Sequence, residues 1–324
     1  MQIFTNANFN FLRWRWPAIG LSVIVVAAGI VAMITRGLPL GIDFSGGTAL
    51  VVEGATEEQV RRALDAMPGE KVIQQYDDLS KGQILIRLPQ IATAEADANL
   101  EQESLRVEAA LEAAGLKTTV VSRELVGPAM GADLQRRGIY ATFASIIAIT
   151  IYIGVRFRFT FAAGAIAATF HDILVTLAFL TFAGYDLSLN VVAALLTITG
   201  YSVNDTIVIF DRVRENMRSL RREPLDHVVN LSVNQTLSRT VITAGTTFMA
   251  VLSLFLFGGE ALRAFAFTMI VGIISGTYST VFIASAIAII LSGGRRSGAA
   301  GAAAPAAGEA PARQGRKPRR ARAS

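Results

Sequence analysis

Two ionisable residues lie within or beside long apolar stretches of this 324-residue sequence. Asp205 follows an apolar run that starts at Val191, and Arg239 lies at or just inside the start of the next apolar segment. A charge inside a membrane-spanning helix costs about 2.5–3.5 kcal/mol, and such residues usually face a bundle interior, pair and mark an ion or proton path. We therefore predict that Asp205 and Arg239 form an intramembrane proton-coupling pair. The alternative is a structural ion pair that only fixes the register of two helices.

Three polar neighbours are predicted to support this pair. Asn204 and Thr206 flank Asp205, and Thr243 follows Arg239 by one helical turn. Thr243 belongs to a group of threonines at helical spacing that can supply a polar lining. The alternative for this group is contact between packed helices, where small and polar residues are common.

A second polar pair, His171 and Asp172, lies near the middle of the preceding apolar stretch. Both side chains are costly in lipid unless they face protein or water. Histidine titrates near neutral pH, so His171 is a candidate for a proton relay. The alternative is an interhelical hydrogen bond with no role in proton movement.

The composition predicts a polytopic membrane protein. Hydrophobic residues make up 52% of the chain, and the mean hydropathy is +0.47. The net charge of +5 is segregated into particular loops and the C-terminal tail, as expected where basic residues set membrane orientation. The absence of cysteine excludes thiol catalysis and thiolate metal sites. Without a nucleophile–base pair, a metal cluster or a phosphate loop, the sequence does not predict an enzyme, a metal site or a cofactor site.

Six apolar stretches are long enough to span a membrane. The predicted spans are Trp16–Ile34, Gly138–Val155, Phe161–Ala183, Asn190–Phe210, a fifth that starts near Arg239 and runs to Phe257, and a sixth within Leu262–Leu291. The first is read as an uncleaved helix rather than a signal peptide, because its apolar run is long and Ile34-Thr35-Arg36 is not a small-x-small cleavage site. Gly272 and Gly276, four residues apart, predict close helix packing.

Basic residues at alternate ends of these spans place both termini in the cytoplasm. The predicted division is a cytoplasmic N-terminus (1–15), a first helix (16–36), an extracytoplasmic domain (37–133), helices two to six (134–294) with an arginine-rich cytoplasmic loop (211–238), and a disordered basic tail (295–324). Residues 225–238 are amphipathic and predict a helix that runs along the interface. Asp205 and Arg239 then approach the membrane from the same side at similar depth. The tail is read as a solvated segment, with contact to anionic lipid or ribosomal RNA as the alternative.

The domain at 37–133 has the pattern β-α-β-β-α-β, which predicts a ferredoxin-like α+β fold with two helices on one face of the sheet. Thr56 and Gln59 predict a capped start for its first long helix. The domain opens with GIDFSGGT, which contains Gly46 and Gly47. These glycines match neither phosphate-loop motif, so a strand start that needs positive φ is the simpler interpretation.

Five motifs together resemble the SecD/SecF family of bacterial Sec protein-export membrane proteins, on its SecF side. They are GIDFSGGT, VGPAMG at 126–131, the pair His171-Asp172, NDTIVIFDRVREN from Asn204, and LSRT ending at Thr240. They occur in the family's order, and the resemblance extends from Arg13 to about Arg296. It implies half of a twelve-span RND-type transporter, with Gly41, Asp43, Gly46 and Gly47 as part of a family motif.

The same resemblance implies a function. Such proteins use the proton motive force, with SecD, to assist late preprotein translocation through SecYEG in the bacterial cytoplasmic (inner) membrane. By motif position, Asp205 is the proton-coupling aspartate and Arg239 the membrane arginine. YidC, YajC, translocating preproteins and membrane lipid are further implied partners; no specific nucleic acid and no cofactor other than the proton gradient are expected. The alternatives are an RND-type exporter of small molecules or lipids and a passive structural subunit.

Overall fold

The structure is a computed structural model and describes residues 8–37, 40–68, 71–75, 82–89 and 96–293. The predicted tail (295–324) and most of the predicted turn at 77–82 lie outside these residues. The helices are α1 Arg15–Arg36, α2 Ile42–Ser45, α3 Glu57–Leu64, α4 Ala96–Ala113, α5 Pro128–Arg156, α6 Phe159–Ala183, α7 Leu189–Ser219, α8 Leu225–Phe257, α9 Glu260–Ser279 and α10 Ser285–Ser292. A π-helical segment, Thr280–Ala284, joins the last two into one continuous element.

Six helical elements are long and apolar enough to cross a membrane, which confirms the predicted spans. Helices α6 and α7 and the α9–α10 element form the interior of the bundle, since they bury 39–61% of their most apolar windows. Helices α1, α5 and α8 bury only 11–17% and lie on the outside. An apolar helix face that no protein covers is suited to contact with lipid or with another membrane subunit.

The prediction of an arginine-rich loop over 211–238 was wrong. Helix α7 continues to Ser219 and α8 starts at Leu225, so only residues 220–224 connect them. The segment 225–238 is the first part of α8 rather than a separate helix along the interface. The extensions persist because they pack together: Val213 and Val228 are fully buried in one apolar cluster, and Asn216 Nδ2 donates a 2.9 Å hydrogen bond to Ser232 Oγ.

The soluble domain has the predicted ferredoxin-like arrangement. Its described strands are β1 Gly47–Glu53, β2 Val72–Gln75, β3 Gln83–Pro89 and β4 Thr119–Val126, in the order β2-β3-β1-β4 with all neighbours antiparallel. Alternate residues of β1, such as Leu50 and Val52, pack under α3 and α4. The intervening residues Ala49 and Val51 pack on the opposite face with Ile42 of α2. Two helices therefore pack on one face of the sheet, and the four-residue α2 segment packs on β1 and β3 at the other.

Local signals set the ends of the domain elements. Thr56 and Gln59 form the predicted capping box at the start of α3. Gly46 and Gly47 both have positive φ, 70° and 120°, between α2 and β1. This confirms the structural interpretation of the glycine pair, because a residue with a Cβ rarely adopts that conformation. Helix α5 starts at Pro128, ten residues before the predicted second span, so the helix extends into the range predicted for the domain.

Candidate functional site

Asp205 lies on α7 where this helix faces α8. Its Oδ1 accepts a 2.8 Å hydrogen bond from Thr240 Oγ1. Its Oδ2 is buried and makes no hydrogen bond within the described part of the chain. Burying an acceptor oxygen without a hydrogen-bond donor costs free energy, and such atoms are uncommon in native proteins. One carboxylate oxygen is thus fixed by a neighbouring helix, while the other receives no hydrogen bond from the described residues.

Arg239 immediately precedes Thr240 but does not pair with Asp205. The side chain of Arg239 is exposed, and no ion pair within 4.0 Å joins the two residues, both of which the structure describes. Successive residues on an α-helix point about 100° apart, so only one of the two can face Asp205 directly. Thr240, rather than Arg239, is therefore the residue of α8 that contacts Asp205 directly. Thr243 is also exposed, and its hydroxyl donates to the Arg239 and Thr240 carbonyls of its own helix.

The two residues beside Asp205 face in different directions. Asn204 is exposed. Thr206 is buried, and its Oγ1 lies 3.0 Å from Thr280 Oγ1 at the start of the π-helical segment. Thr206 therefore belongs to the contact between α7 and the sixth span, whereas Asp205 belongs to the contact between α7 and α8.

Asp172 forms a second polar centre deep in the bundle. It is 1% exposed and accepts hydrogen bonds from three serines on two other helices. The donors are Ser202 Oγ at 2.6 Å, Ser275 Oγ at 2.7 Å and Ser279 Oγ at 2.7 Å. Hydrogen bonds to a charged acceptor contribute about 1.5–3 kcal/mol each. Asp172 thus fixes α6, α7 and α9 relative to one another.

His171 continues this network to the first helix. Its Nδ1 lies 3.1 Å from Asp172 Oδ1, and its Nε2 lies 2.9 Å from Ser22 Oγ on α1. Ser22 Oγ in turn donates to Tyr278 Oη at 3.2 Å. Tyr278 donates to the Ala18 carbonyl at 2.7 Å, and its ring stacks on the imidazole. The predicted His171-Asp172 pair therefore makes interhelical hydrogen bonds that link four spans.

The sequence interpretation missed the serines of this network. Ser275 and Ser279 are four residues apart in an apolar span, a spacing that places both on one helix face. Their position beside the predicted packing glycines was the available signal. Gly272 and Gly276 do allow close packing, since a Cβ would lie 2.2 Å from the Ile198 side chain and 3.0 Å from Ser202 Cβ respectively. This contact brings α7 close enough for Ser202 to reach Asp172.

The GIDFSGGT segment attaches the soluble domain to the helices. Asp43 Oδ2 accepts a 2.9 Å hydrogen bond from the Leu189 amide, the first residue of α7. The Gly41 amide donates to the Leu187 carbonyl at 2.9 Å. A carboxylate at a helix N-terminus satisfies a free amide and interacts favourably with the helix dipole. Asp43 therefore acts as a cap for the helix that carries Asp205.

An ion pair also connects the soluble domain to the helices at this point, which we call the joint. Arg87 Nη1 on β3 lies 2.7 Å from Asp186 Oδ1 in the connection between α6 and α7, and both side chains are largely buried. Burial raises the pKa of Asp186 to about 6, although the neighbouring Arg87 guanidinium lowers it. The joint thus contains a carboxyl group that titrates near neutral pH.

Two of the sequence motifs meet at this joint. Gly131, in the VGPAMG segment at the start of α5, lies against the Gly46 turn. A Cβ at Gly131 would lie 2.9 Å from the Gly46 amide nitrogen, so the contact requires glycine. The two motifs fix the domain between its preceding and following spans.

Among the described residues, no group of three or more histidine, cysteine, aspartate or glutamate side chains is placed to hold a metal ion. Two separate carboxylates lie in the bundle: Asp205 on α7, where this helix faces α8, and Asp172 on α6, where it faces α7 and α9. Both carboxylates accept hydrogen bonds from hydroxyl groups of neighbouring helices and so fix those helices relative to one another.

Comparison with known proteins agrees with the fold. Residues 106–293 match the family model for "Protein export membrane protein SecD/SecF, C-terminal", and residues 31–56 match the "SecD/SecF GG Motif". A protein translocase subunit SecF from Rhodothermus marinus is 41% identical over 301 residues, covering 90% of this chain and 96% of the relative. The SecF subunit of Escherichia coli O157:H7 is 38% identical over 287 residues, covering 87% and 88%.

Solved structures show the same relationship. The crystal structure of SecDF from Thermus thermophilus, a translocon-associated membrane protein, superposes with a TM-score of 0.78 at 35% identity. A second SecDF structure, in a super-membrane-facing form, gives a TM-score of 0.67 at 36% identity. This chain is covered to 90% and 92%, but it spans only 40% of each SecDF chain. With a family model that matches more than half of its length and a relative that is 41% identical along most of it, this multi-pass membrane protein belongs to the SecD/SecF family of protein export membrane proteins.

Proposed function

We propose that this chain is a SecF-type subunit that, together with SecD, uses the proton gradient to assist late preprotein translocation through SecYEG. The observation that carries the proposal is the environment of Asp205. This carboxylate lies within a spanning helix, with one oxygen bound by Thr240 and the other buried without a donor. A proton can bind Oδ2 without breaking a hydrogen bond that the described residues make.

Arg239 and Thr243 have a different role from Asp205 in this proposal. Both lie on an exposed face of α8, next to the Asp205–Thr240 contact. Because this chain corresponds to 40% of a SecDF chain, the exposed face is suited to contact with the SecD half. Arg239 would then stabilise charge along a proton path between the two halves rather than neutralise Asp205 directly.

The energetics are sufficient for a conformational cycle. Moving one elementary charge through the membrane potential supplies about 2.3 kcal/mol per 100 mV. A free energy of that size can shift the populations of two states that differ by a few kcal/mol. Helix α7 connects Asp205 to the Asp43 cap, so a movement of α7 is passed directly to the soluble domain.

The remaining assignments follow from the same proposal. The arginine-rich end of the bundle, with both termini, would face the cytoplasm, and the domain would lie on the other side of the inner membrane. The proton gradient would be the energy source in place of a cofactor, and the subunit would not act as an enzyme. YidC, YajC, preproteins and membrane lipid remain proposed partners.

Two other functions predict different results. An RND-type exporter would require a larger soluble domain with a ligand cleft, whereas the described part of this domain is built on a single four-stranded sheet. A passive structural subunit would tolerate the loss of the Asp205 charge if folding survives. The second alternative is the one that a single substitution can exclude.

The test is proton-gradient-dependent translocation of a secretory preprotein into inverted membrane vesicles that contain either the wild type or Asp205→Asn. We expect Asp205→Asn to assemble with SecD normally and to lose the gradient-dependent part of translocation. Asp226→Asn removes one negative charge from the exposed start of α8 and serves as the matched control. Unchanged gradient dependence in a normally assembled Asp205→Asn subunit would show that the aspartate is structural.

A further inference from the structure

A cavity at the arginine-rich end of the bundle lies outside the site described above. It has a volume of about 560 Å³ and is located where α5, α6 and α7 come together. Four of its lining residues are arginines: Arg156, Arg158, Arg214 and Arg218. The aromatic side chains of Phe161 and Phe210 form its inner wall. Phe161 and Phe210 are almost fully buried and pack edge to face at 5.1 Å.

Most of the positive charge in this cavity is not neutralised. Arg156 Nη2 donates to both oxygens of Asp211, at 2.6 and 2.8 Å. The guanidinium groups of Arg158, Arg214 and Arg218 make no ion pair or hydrogen bond with other described residues. Three cations that converge on one cavity without a counter-ion favour an anionic ligand. Arginine is well suited to a phosphate group because its planar fork can donate two hydrogen bonds.

The start of α6 adds further donors. Arg158 is the N-cap residue of this helix and makes no side-chain cap, so the first amides of α6 have no side-chain acceptor. Helix N-termini favour anions because their free amides and the helix dipole both point toward the ligand. The N-terminus therefore reinforces the field of the arginines on the same side of the cavity.

The cavity also opens onto an apolar surface. Helix α5 carries Ile147, Ile151 and Val155 at four-residue spacing, and they are 56%, 61% and 84% exposed. Phe159, at the start of α6, is 83% exposed beside them. An uncovered apolar stripe on a spanning helix contacts lipid acyl chains. Arginines at the end of such a stripe lie at the depth of the lipid headgroups.

From this combination we propose that the cavity binds the phosphate headgroup of an anionic glycerophospholipid, with the acyl chains along the exposed stripe of α5. The cluster of cations recognises the phosphate, and the stripe distinguishes a lipid from a free anion. An acidic segment of a partner protein would match the charge but not the adjacent apolar stripe. The inference does not depend on proton coupling at Asp205.

The test is lipid retention by the full chain, purified in detergent and measured by native mass spectrometry. The probes are phosphatidylglycerol and, as a zwitterionic reference, phosphatidylcholine with the same acyl chains. Arg214→Gln/Arg218→Gln is the main variant because both side chains are exposed and make no ion pair with the described residues. Arg221→Gln/Arg222→Gln removes the same charge from the neighbouring turn, outside the cavity, and is the control. Thermal unfolding of each variant reports whether the fold is intact.

We expect wild type and control to retain phosphatidylglycerol in preference to phosphatidylcholine. The Arg214/Arg218 variant should bind phosphatidylglycerol on the order of tenfold more weakly, given the contribution of each arginine near an anionic headgroup. Arg158→Gln should weaken binding in the same direction and provides a second, independent variant. Inorganic phosphate at millimolar concentration should displace the lipid only partly, because it lacks the acyl contacts.

Four results would overturn the proposal. Equal loss of lipid in both double variants would show diffuse attraction to a basic surface rather than a site. Equal retention of the two lipids by the wild type would exclude recognition of net charge. Binding of inorganic phosphate without retention of phosphatidylglycerol would identify a site for a free anion, and protection of the cavity only by an acidic partner peptide would identify a protein contact.

Discussion

Thr240 on α8 donates its hydroxyl hydrogen to Asp205 on α7, and this 2.8 Å bond is the direct link between the proposed proton-binding carboxylate and its neighbouring span. The bond orients one carboxylate oxygen and leaves the other buried without a donor among the described residues. Asp205 thus has one oxygen held in a fixed geometry and one that the described residues leave without a hydrogen bond.

Replacing Thr240 tests that link. Thr240→Val keeps the side-chain shape but removes the donor, so we expect a loss of about 1.5–3 kcal/mol of stability and reduced gradient-dependent translocation. Thr240→Ser should preserve both. Thr246→Val is the control, because Thr246 is exposed and bonds only to carbonyls of its own helix. Thermal unfolding and vesicle translocation measure the two effects; an unaffected Thr240→Val would remove the bond from the mechanism.

Asp172 is expected to contribute mainly to stability. Asp172→Asn replaces an acceptor of three serine hydrogen bonds by a group that can accept on only one atom. Breaking a buried charged network typically costs about 3–5 kcal/mol, which should lower the thermal unfolding midpoint clearly. Asp226→Asn, on the protein surface, removes only a carboxylate from the first turn of α8 and should cost less than about 1 kcal/mol. A variant at position 172 as stable as the wild type would contradict the structural role.

Gly131 and Gly154 offer a matched comparison within α5. Gly131→Ala places a Cβ 2.9 Å from the Gly46 amide nitrogen, whereas a Cβ at Gly154 has no atom within 4 Å. We expect Gly131→Ala to destabilise the joint by about 1–3 kcal/mol, as overpacking does. Gly154→Ala should be neutral or slightly stabilising. Hydrogen exchange at the Gly41 and Leu189 amides, both bonded across the joint, reports the difference.

The joint should also respond to pH through Asp186. Its pKa is raised from 3.8 to about 6 in the docked state, chiefly by burial. The docked state therefore binds the proton more tightly than the free chain, so the joint is more stable below pH 3.8 and loses that stability as pH rises through about 6. The slope of joint stability against pH is measured by hydrogen exchange at the Leu189 amide, corrected for the intrinsic exchange rate.

Two substitutions separate Asp186 from other titrating groups. Asp186→Asn should flatten the slope because it removes the titrating carboxyl. Arg87→Gln removes the cation that lowers the pKa of Asp186, so the slope should shift to higher pH. An identical slope in Asp186→Asn would assign the pH response to another residue.

The sequence predicted the architecture well because the determining signals are long or periodic. Six apolar runs define six spans, and alternating strands with two helical segments define the ferredoxin-like domain. The boundaries of α7 and α8 were missed because their ends extend past the apolar runs. Residues such as Val213 and Val228 stabilise those ends by packing in one apolar cluster, which forms only in the tertiary structure.

The polar sites were predicted by residue type but not by partner. Asp205, His171 and Asp172 were identifiable because charged and imidazole groups are rare in apolar spans. Thr240 was not distinguished from Arg239, since a difference of one residue rotates a side chain by about 100° and depth alone does not fix that angle. Ser22 on α1 is distant in sequence from His171, so their contact depends on how the spans are arranged.

The close contact between Gly272 and Ile198 has a mechanical consequence for α7. Ile198 lies between Leu189, which Asp43 caps, and Asp205, so the contact supports the helix along its middle. A stiff rod held near its middle acts as a lever, and its two ends move in opposite directions. Leu189 and Asp205 are about 24 Å apart along the axis, so a tilt of about 5° shifts one end relative to the other by about 2 Å. In the proposed cycle, a tilt of α7 about this contact that carries Asp205 toward α8 would move Leu189, and with it the bond to Asp43, in the opposite direction.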